Sequence, residues 1–205
     1  MDALSRTVVV MALAAEADGV FAAAGIDVLY CGIGKVNAAR ALARELARYA
    51  HAGHAPPLVV NFGSAGSRRY PAGSFCACHQ FVQRDMDLSV LGYPLGVTPF
   101  EEAPPCLQFA PLFAQLPQAV CGSGDSFATT DAAVACDVLD MEAYALAKTC
   151  WFESAPFACV KYITDGADHA AADAWRSNVH KAAEEFLRLY RLLPGTPNGE
   201  RRGGS

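Results

Sequence analysis

Acidic residues stand within or directly after apolar segments at three places in the chain. Asp140 and Glu142 interrupt the apolar run VLDMEAYALA, Glu16 follows a β-branched run near the N-terminus, and Asp165 closes another such run. Removing a carboxylate from water is costly unless it gains a charged or hydrogen-bonding partner. Each of these side chains is therefore expected either to face solvent or to belong to a site, where a partly desolvated carboxyl group can donate or accept a proton.

The segments that carry these acids alternate between strand-like and helix-like patterns. This alternation indicates an α/β fold, with one domain over residues 1–193, a central mixed (largely parallel) β-sheet flanked by helices, and a flexible tail at 194–205. Ligands of such folds bind at the carboxyl ends of the strands. The predicted strands lie within 7–13, 25–34, 58–67, 134–141 and 157–168, and the predicted helices within 14–23, 35–50, 142–150 and 172–193. The strand ends select Glu16, 32–34, 63–66, 124–127, 141–142 and Asp165.

Composition and charge exclude several classes of protein. Of the 205 residues, 53% are apolar and 18% are charged, and the net charge of −5 comes without a basic stripe, so nucleic-acid binding is not expected. No run approaches the roughly 18 apolar residues of a membrane-spanning helix. Glu16 and Asp18 occupy the place where a signal peptide needs small neutral residues. We expect a cytoplasmic protein that does not bind membranes.

The eight cysteines are expected to be reduced thiols. Several stand in or beside apolar runs, where cysteine behaves as a small hydrophobic residue, and a core of this size needs no disulfides. The segment Cys76-Ala77-Cys78-His79 could suggest a metal site, but no further pair of ligands stands at a suitable spacing. The sequence therefore predicts neither a metal nor a cofactor.

Two glycine-rich turns are each compatible with more than one interpretation. The segment CGIGKVNA (31–38) resembles a dinucleotide-binding turn, but Asn37 replaces its third glycine, and a plain strand-to-helix turn explains it equally well. The segment GSAG (63–66) would let backbone N–H groups approach a ligand closely. Asp165 and Asp168 could form an ordinary turn. The sequence contains no G-x-x-x-x-G-K-[ST] phosphate loop, which disfavours ATP-driven chemistry.

Seven short motifs, taken in order, resemble the nucleoside phosphorylase/nucleosidase superfamily, and most closely the bacterial 5′-methylthioadenosine/S-adenosylhomocysteine nucleosidases. They are collinear and cover nearly the whole chain. The motifs are AAE (14–16), GIGKV (32–36), NFGSAG (61–66), DMDLS (85–89), SGDSF (123–127), DMEA (140–143) and ITDGAD (163–168).

This resemblance implies a nucleoside phosphorylase-like three-layer fold and an enzyme that hydrolyses the N-glycosidic bond of an adenine nucleoside through an oxocarbenium-like sugar. It assigns Asp165 as the general acid that protonates N7 of the purine and Glu16 as the group that orients and deprotonates water. Glu142 would accept hydrogen bonds from the ribose 2′- and 3′-hydroxyls and stabilise the positive charge. Asp140 is expected to be structural, as a partner for backbone donors at a helix N-terminus.

The resemblance also implies how the rest of the nucleoside is held. Met141 would pack beneath the sugar, Phe127 would stack on the adenine, and the backbone of Phe127 and Ala128 would read the edge of the base. Ser64 and Gly66 would line the ribose and purine pocket.

Three alternatives stay open at this point. A phosphorylase would need arginines near the glycine loops, where only Lys35 lies close to the first loop and Arg68 and Arg69 follow the second. A nucleoside-binding protein without turnover would not need a proton donor such as Asp165. The chain is also shorter than the methylthioadenosine enzymes near 100–121 and 127–140, which leaves the 5′-substituent open.

Residues 84–102 resemble the dimer-contact region of this family. Tyr93, Leu95, Val97 and Phe100 give the segment the apolar content of an interface core. A homodimer is therefore expected.

Overall fold

The computed structural model describes residues 6–127, 132–167, 171–194 and 196. The strands in these ranges are β1 (Thr7–Met11), β2 (Val28–Tyr30), β3 (Leu58–Gly66), β4 (Phe75–Gln83), β5 (Cys106–Gln108), β6 (Gln118–Ser123), β7 (Val138–Asp140) and β8 (Phe157–Asp165). The α-helices are α1 (Ala14–Ala17), α2 (Val20–Ala23), α3 (Lys35–His51), α4 (Ala143–Phe152), α5 (Ala171–Asn178) and α6 (Ala183–Tyr190). Short 3-10 turns lie at Ser89–Leu91 and Val179–Ala182.

The strands form one mixed sheet, part of which closes on itself. β1 pairs in parallel with β2 on one side and with β3 on the other. From β3 the pairing runs through β7, β6, β4 and β8 and back to β3, so these five strands form a closed cycle. β5 pairs with the second half of β4, beyond the residues of β4 that pair with β8. Five of the strand pairings are parallel and three are antiparallel, which confirms the mixed, largely parallel sheet.

Helices cover both faces of the sheet, as predicted. In β1, Val8 and Val10 belong to the core beneath α3 and α4, whereas Val9 and Met11 belong to the core beneath α1, α2 and α6. This two-residue alternation is what a strand buried on both faces requires. The fold is therefore built of three layers, a sheet between two layers of helices.

The closed cycle brings the carboxyl ends of several strands to one place. β3 and β7 run antiparallel and share a single paired position, Gly66 with Leu139, where both strands are ending. β1 and β8 run parallel to β3, and β6 runs parallel to β7. The segments that follow these strands therefore meet at one edge of the sheet.

Two predicted helices are wrong in extent. The helix predicted over 14–23 is divided into α1 and α2, because Asp18 (φ 44°) and Gly19 (φ 72°) take left-handed backbone conformations that a helix cannot contain. The helix predicted over 172–193 is divided into α5, a 3-10 turn and α6. The helix predicted over 35–50 is confirmed as α3, which buries Ala38, Leu42 and Leu46 at four-residue spacing.

Three further expectations concern the whole chain. All eight cysteines are free thiols, as predicted. No helix in the described ranges has the length and apolar content to cross a bilayer. The tail predicted at 194–205 lies mostly outside the described residues and stays a prediction.

Candidate active site

The converging strand ends enclose a crevice of about 170 Å³. Seven of the eight predicted site residues line it, and the eighth, Ala128, lies outside the described residues. The seven are Glu16, Ser64, Gly66, Phe127, Met141, Glu142 and Asp165. The structure thus brings together side chains from distant parts of the sequence, of which Glu16 and Asp165 are 149 positions apart.

Glu16 lies in α1, directly after β1, and its side chain turns back to the strand ends. Its Oε2 accepts hydrogen bonds from the backbone N–H groups of Ala12 (2.9 Å) and Leu13 (3.1 Å). Its Oε1 accepts from the backbone N–H (2.8 Å) and the hydroxyl (2.9 Å) of Ser64. A carboxylate offers about four acceptor positions, so the protein itself supplies a donor for each. These bonds explain how Glu16 can be only 3% exposed.

Asp165 is the last residue of β8 and is 4% exposed. Its Oδ2 accepts from the Thr164 hydroxyl (2.7 Å), and its Oδ1 accepts from the backbone N–H of Ala167 (3.0 Å). Gly66 lies beside it, and a Cβ at position 66 would stand 2.6 Å from Asp165 Oδ1. A side chain at position 66 would collide with the Asp165 carboxyl group. Glycine at this position therefore allows the carboxyl group to lie against β3 at the crevice.

Glu142 stands between β7 and α4 and is 8% exposed. Its Oε1 accepts from the backbone N–H of Gly34 (2.8 Å), which belongs to the turn before α3. Burial, and after it the negative charge of Asp140, raises the pKa of the Glu142 carboxyl to about 7. The carboxyl oxygens of Glu142 can therefore accept further hydrogen bonds from a ligand, since Glu142 is too buried for water to supply many of them.

Asp140 has a different set of partners, although it also lines the crevice. Its Oδ2 accepts from the backbone N–H of Ala143 (2.9 Å) in the first turn of α4, and its Oδ1 accepts from the Ser123 hydroxyl. Lys161 Nζ lies 2.7 Å from Asp140 Oδ2. These contacts confirm that Asp140 is a partner for backbone donors at a helix N-terminus.

Lys161 is a lysine in the middle of β8 that is only 1% exposed. Burial would lower its pKa, but the attraction of Asp140 holds the pKa of Lys161 well above its usual value. The same attraction outweighs the desolvation of Asp140 and keeps the pKa of that carboxyl below its usual range. A Cβ at Gly63 would lie 3.2 Å from Lys161 Nζ and 3.3 Å from Glu16 Oε1, so both side chains pack against this glycine.

The aromatic and apolar members of the predicted set, Phe127 and Met141, line the crevice and are more exposed than its acids. Phe127 is 45% exposed and follows the turn that begins at Gly124. Met141 is half-buried and lies between the two acids of the DME segment. An exposed ring next to a crevice is available to stack on a flat ligand.

Thr164, Trp175 and Arg84 also line the crevice, although the sequence assigned them no role. Thr164 donates to Asp165, and Trp175 donates its indole N–H to the Ser64 hydroxyl (3.0 Å). Arg84, directly after β4, donates to the carbonyl oxygens of Gly124 (3.4 Å) and Ser126. Thr164 lies within the ITDGAD motif, whereas no motif marked Arg84 or Trp175 as a site residue, because β4 and α5 were not recognised as elements that reach the site.

Lys35, at the start of α3, neutralises two neighbouring acids. Its Nζ bonds to Asp85 and lies 3.7 Å from Asp125 Oδ2. Asp85 Oδ2 in turn accepts from the backbone N–H of Asp125 (2.8 Å). This network fixes the turn after β6 against the start of α3. In the described ranges, no group of three or more His, Cys, Asp or Glu side chains is placed to hold a metal ion.

The chain belongs to the phosphorylase superfamily, whose family model matches residues 22–193. Among curated relatives, a 5′-methylthioadenosine/S-adenosylhomocysteine nucleosidase of Anoxybacillus flavithermus is 27% identical over 92% of this chain and 88% of its own length. The enzyme of the same name from Marinomonas sp. is 28% identical over 86% of this chain and 84% of its own length.

Solved structures share the fold. A mutant 5′-methylthioadenosine nucleosidase of Helicobacter pylori with 5′-methylthioadenosine in its active site has a TM-score of 0.77, at 21% identity over 90% of this chain and 97% of that chain. A futalosine hydrolase mutant of the same organism has a TM-score of 0.77, at 20% identity and the same coverage. These similarities confirm the nucleoside phosphorylase-like fold.

Proposed function

We propose that this protein is a nucleosidase that hydrolyses the N-glycosidic bond of an adenine nucleoside, such as 5′-methylthioadenosine or S-adenosylhomocysteine. The observation that carries the proposal is the meeting of Glu16, Glu142 and Asp165 in one crevice, each from a different strand end and each less than a tenth exposed. Three buried carboxyl groups are costly unless they have a function or partners. The names of the curated relatives support the same activity.

The chemistry divides between two of these acids. Asp165 donates a proton to N7 of the purine, and the C1′–N9 bond then breaks with its electron pair going to the base. The oxygen of a water molecule forms the new bond to C1′, and Glu16 takes the proton that this water loses. Because protein donors fill the four acceptor positions of Glu16, this water must first displace one of them. The products are the free base and the free sugar.

Glu142 has the complementary task of stabilising the sugar. Its carboxylate accepts hydrogen bonds from the ribose 2′- and 3′-hydroxyls and lies where its charge offsets that of the oxocarbenium-like transition state. Met141 packs beneath the sugar, while Phe127 stacks on the base. Ser64 and Gly66 complete the pocket, and the backbone at Phe127 and Ala128 is proposed to read the edge of the base.

Water rather than phosphate is proposed as the nucleophile. Among the described residues that line the crevice, Arg84 is the single cationic side chain. Its guanidinium group donates to the carbonyl oxygens of Gly124 and Ser126 and to the Ser126 hydroxyl. Lys35, the cation next to the first glycine turn, is paired with Asp85. A phosphate ion would therefore have to compete for Lys35 and for the two Nη groups of Arg84, which leaves the Arg84 Nε as the guanidinium donor without a partner among the described residues.

The test is to incubate the purified protein with 5′-methylthioadenosine, S-adenosylhomocysteine, adenosine and inosine, each with and without phosphate. Futalosine is added because a fold neighbour is a futalosine hydrolase. We expect free adenine and a free reducing sugar without phosphate. Strict dependence on phosphate, with a sugar 1-phosphate as product, would show a phosphorylase instead. Binding without release of base from any nucleoside would favour a nucleoside-binding protein.

We also propose that the protein is a cytoplasmic homodimer. Eight free thiols fit a reducing compartment. Val90, Leu91 and Phe100 expose 91%, 68% and 98% of their surface in the segment expected to contact a partner subunit. Light scattering during size-exclusion chromatography should give twice the mass of the chain, and Phe100→Asp should shift the species towards the monomer. A monomer for the unchanged protein would refute the dimer.

A further inference from the structure

The indole of Trp175 takes part in a hydrogen-bond chain that ends on Glu16. Trp175 Nε1 donates to Ser64 Oγ (3.0 Å), and Ser64 Oγ donates to Glu16 Oε1 (2.9 Å). The backbone N–H of Ser64 donates to the same carboxylate oxygen at 2.8 Å. All three side chains line the crevice.

The direction of the hydrogen bonds in this chain is fixed by the chemistry of the groups. An indole N–H can only donate, and a carboxylate can only accept. The Ser64 hydroxyl has one proton, so it must accept from Trp175 and give that proton to Glu16. Without the indole, the hydroxyl could rotate and donate elsewhere, and Glu16 Oε1 would keep only the bond from the Ser64 backbone.

Trp175 is held in place by its helix. Asn178, one turn further along α5, donates from Nδ2 to the carbonyl oxygen of Thr164 at 2.9 Å. That carbonyl belongs to the residue before Asp165. α5 is therefore tied to the carboxyl end of β8, and Trp175 reaches Ser64 at the carboxyl end of β3 from there.

We propose that Trp175 is a positioning residue for Glu16, acting through the Ser64 hydroxyl. This inference rests on the proposed function, in which Glu16 orients and deprotonates water. A base that holds water must keep its carboxylate in one orientation, and the Trp175–Ser64 pair supplies one of the four hydrogen bonds that do so.

The hydrogen bond itself can be tested without any activity. The chain contains only two tryptophans, and Trp151 is 41% exposed on α4, so it serves as an internal reference. In a proton–nitrogen correlation spectrum, the Trp175 indole N–H should exchange slowly with water and should shift in Ser64→Ala, while the Trp151 signal stays unchanged. Trp151→Phe assigns the two signals. An indole signal of Trp175 that does not respond to Ser64→Ala would overturn the proposal, even if no nucleoside is ever cleaved.

The catalytic consequence is tested by a double-mutant cycle with Trp175→Phe, which keeps an aromatic ring but removes the donor. We expect kcat to fall roughly three- to tenfold, the rate equivalent of one neutral hydrogen bond, with KM changed by less than about twofold. In the Ser64→Ala background, Trp175→Phe should change kcat by less than about twofold. Full additivity of the two substitutions would mean that Trp175 does not act through Ser64 and would overturn the proposal.

Two controls separate positioning from folding. Arg176→Ala changes the neighbouring residue of α5, which pairs with exposed Asp173, and should leave kcat and KM unaltered. Trp175→Tyr keeps an aromatic ring with a hydrogen-bond donor at a different place, and serves as a second variant if Trp175→Phe does not fold. Its kcat should also fall, and wild-type kcat in a folded Trp175→Tyr or Trp175→Phe protein would contradict the inference.

Discussion

Lys161 Nζ lies 2.7 Å from Asp140 Oδ2, and the two side chains are 2% and 1% exposed. The pair lies at the wall of the crevice, which Asp140 lines and Lys161 does not. The Lys161–Asp140 pair gives the two acids of the DMEA motif different roles. Asp140 is neutralised by a cation and bonded to α4, so Glu142 is the one whose oxygens remain for a ligand.

Lys161→Met is expected to destabilise the protein strongly. The substitution leaves Asp140 buried without its counter-charge, and removing one partner of a buried ion pair costs about 3–5 kcal/mol. The free energy of unfolding, measured by urea denaturation, should fall by that amount. Adding Asp140→Asn in the same chain should restore part of the loss, because the unpaired charge is then gone.

Lys148→Met is the matched control for this prediction. Lys148 also pairs with an acid, Glu101, but the two side chains are 24% and 20% exposed. A pair that water reaches contributes at most about 1 kcal/mol. If Lys161→Met and Lys148→Met lowered the free energy of unfolding equally, burial of the Lys161–Asp140 pair would not increase its contribution to stability.

Glu142→Gln should stabilise the protein at alkaline pH while abolishing activity. The pKa of Glu142 is about 7 in the folded protein, above its ordinary value of 4.5. The stability that the protonated form contributes is fully present below pH 4.5 and is lost as the pH rises through 7. Glutamine resembles the protonated form and can still accept from Gly34. We therefore expect a gain of about 2–3 kcal/mol at pH 8 and almost none at pH 4.5.

Urea denaturation at both pH values measures this difference. Glu153→Gln, at an exposed glutamate just past α4, is the control and should have no effect at either pH. A Glu142→Gln protein that is less stable than wild type at pH 8 would mean that the charge of Glu142 is better compensated than its burial suggests.

The acids of the site could be predicted from the sequence because each ends an apolar segment. Glu16 and Glu142 follow β1 and β7, and Asp165 is the last residue of β8. The rule that ligands bind at strand ends therefore places the three acids together. What the sequence could not reveal is which oxygen bonds to which donor. The bond from Gly34 to Glu142 joins positions 108 apart, and nothing in the spacing of either motif specifies it.

Arg84 and Trp175, which no motif marked as site residues, lie on or next to elements whose sequence patterns are weak. β4 has the sequence FCACHQFVQ and pairs with β5, β6 and β8. Its buried and partly exposed side chains do not alternate, so the sequence lacks the two-residue pattern that would identify a strand. Arg84 follows it and reaches the crevice as a result. α5 was merged with α6 into one predicted helix, although a 3-10 turn separates them, and Trp175 on α5 donates to Ser64. Tertiary contacts, and not local propensity, decide both cases.

The value of kcat/KM is expected to fall as the pH drops below about 7. The free enzyme then carries protonated Glu142, which has lost one acceptor position for the ribose hydroxyls and the negative charge that favours the oxocarbenium-like sugar. Below pH 6 the decline should approach tenfold per pH unit, as for one proton. When kcat alone is plotted against pH, the decline should begin at a lower pH. In the enzyme–substrate complex, hydrogen bonds from the ribose hydroxyls favour the charged form of Glu142 and so lower its pKa.

A substrate without the 2′- and 3′-hydroxyls gives the control for this profile. Its much lower kcat/KM should depend less on pH in this range, because Glu142 has no diol to bind. A profile for the natural ribose that is flat between pH 5 and 8 would contradict the role given to Glu142.

Asp165→Asn should abolish release of the base while leaving nucleoside affinity within about tenfold. Asparagine has nearly the shape of aspartate and can accept from Ala167, but it has no proton to give to N7. Turnover is measured by the appearance of free adenine, and affinity by calorimetric titration with 5′-methylthioadenosine, which the variant should bind without cleaving. Asp173→Asn, at the exposed start of α5, should retain full activity. A folded Asp165→Asn protein with wild-type turnover would remove Asp165 as the proton donor, and the acid would then have to come from elsewhere in the crevice.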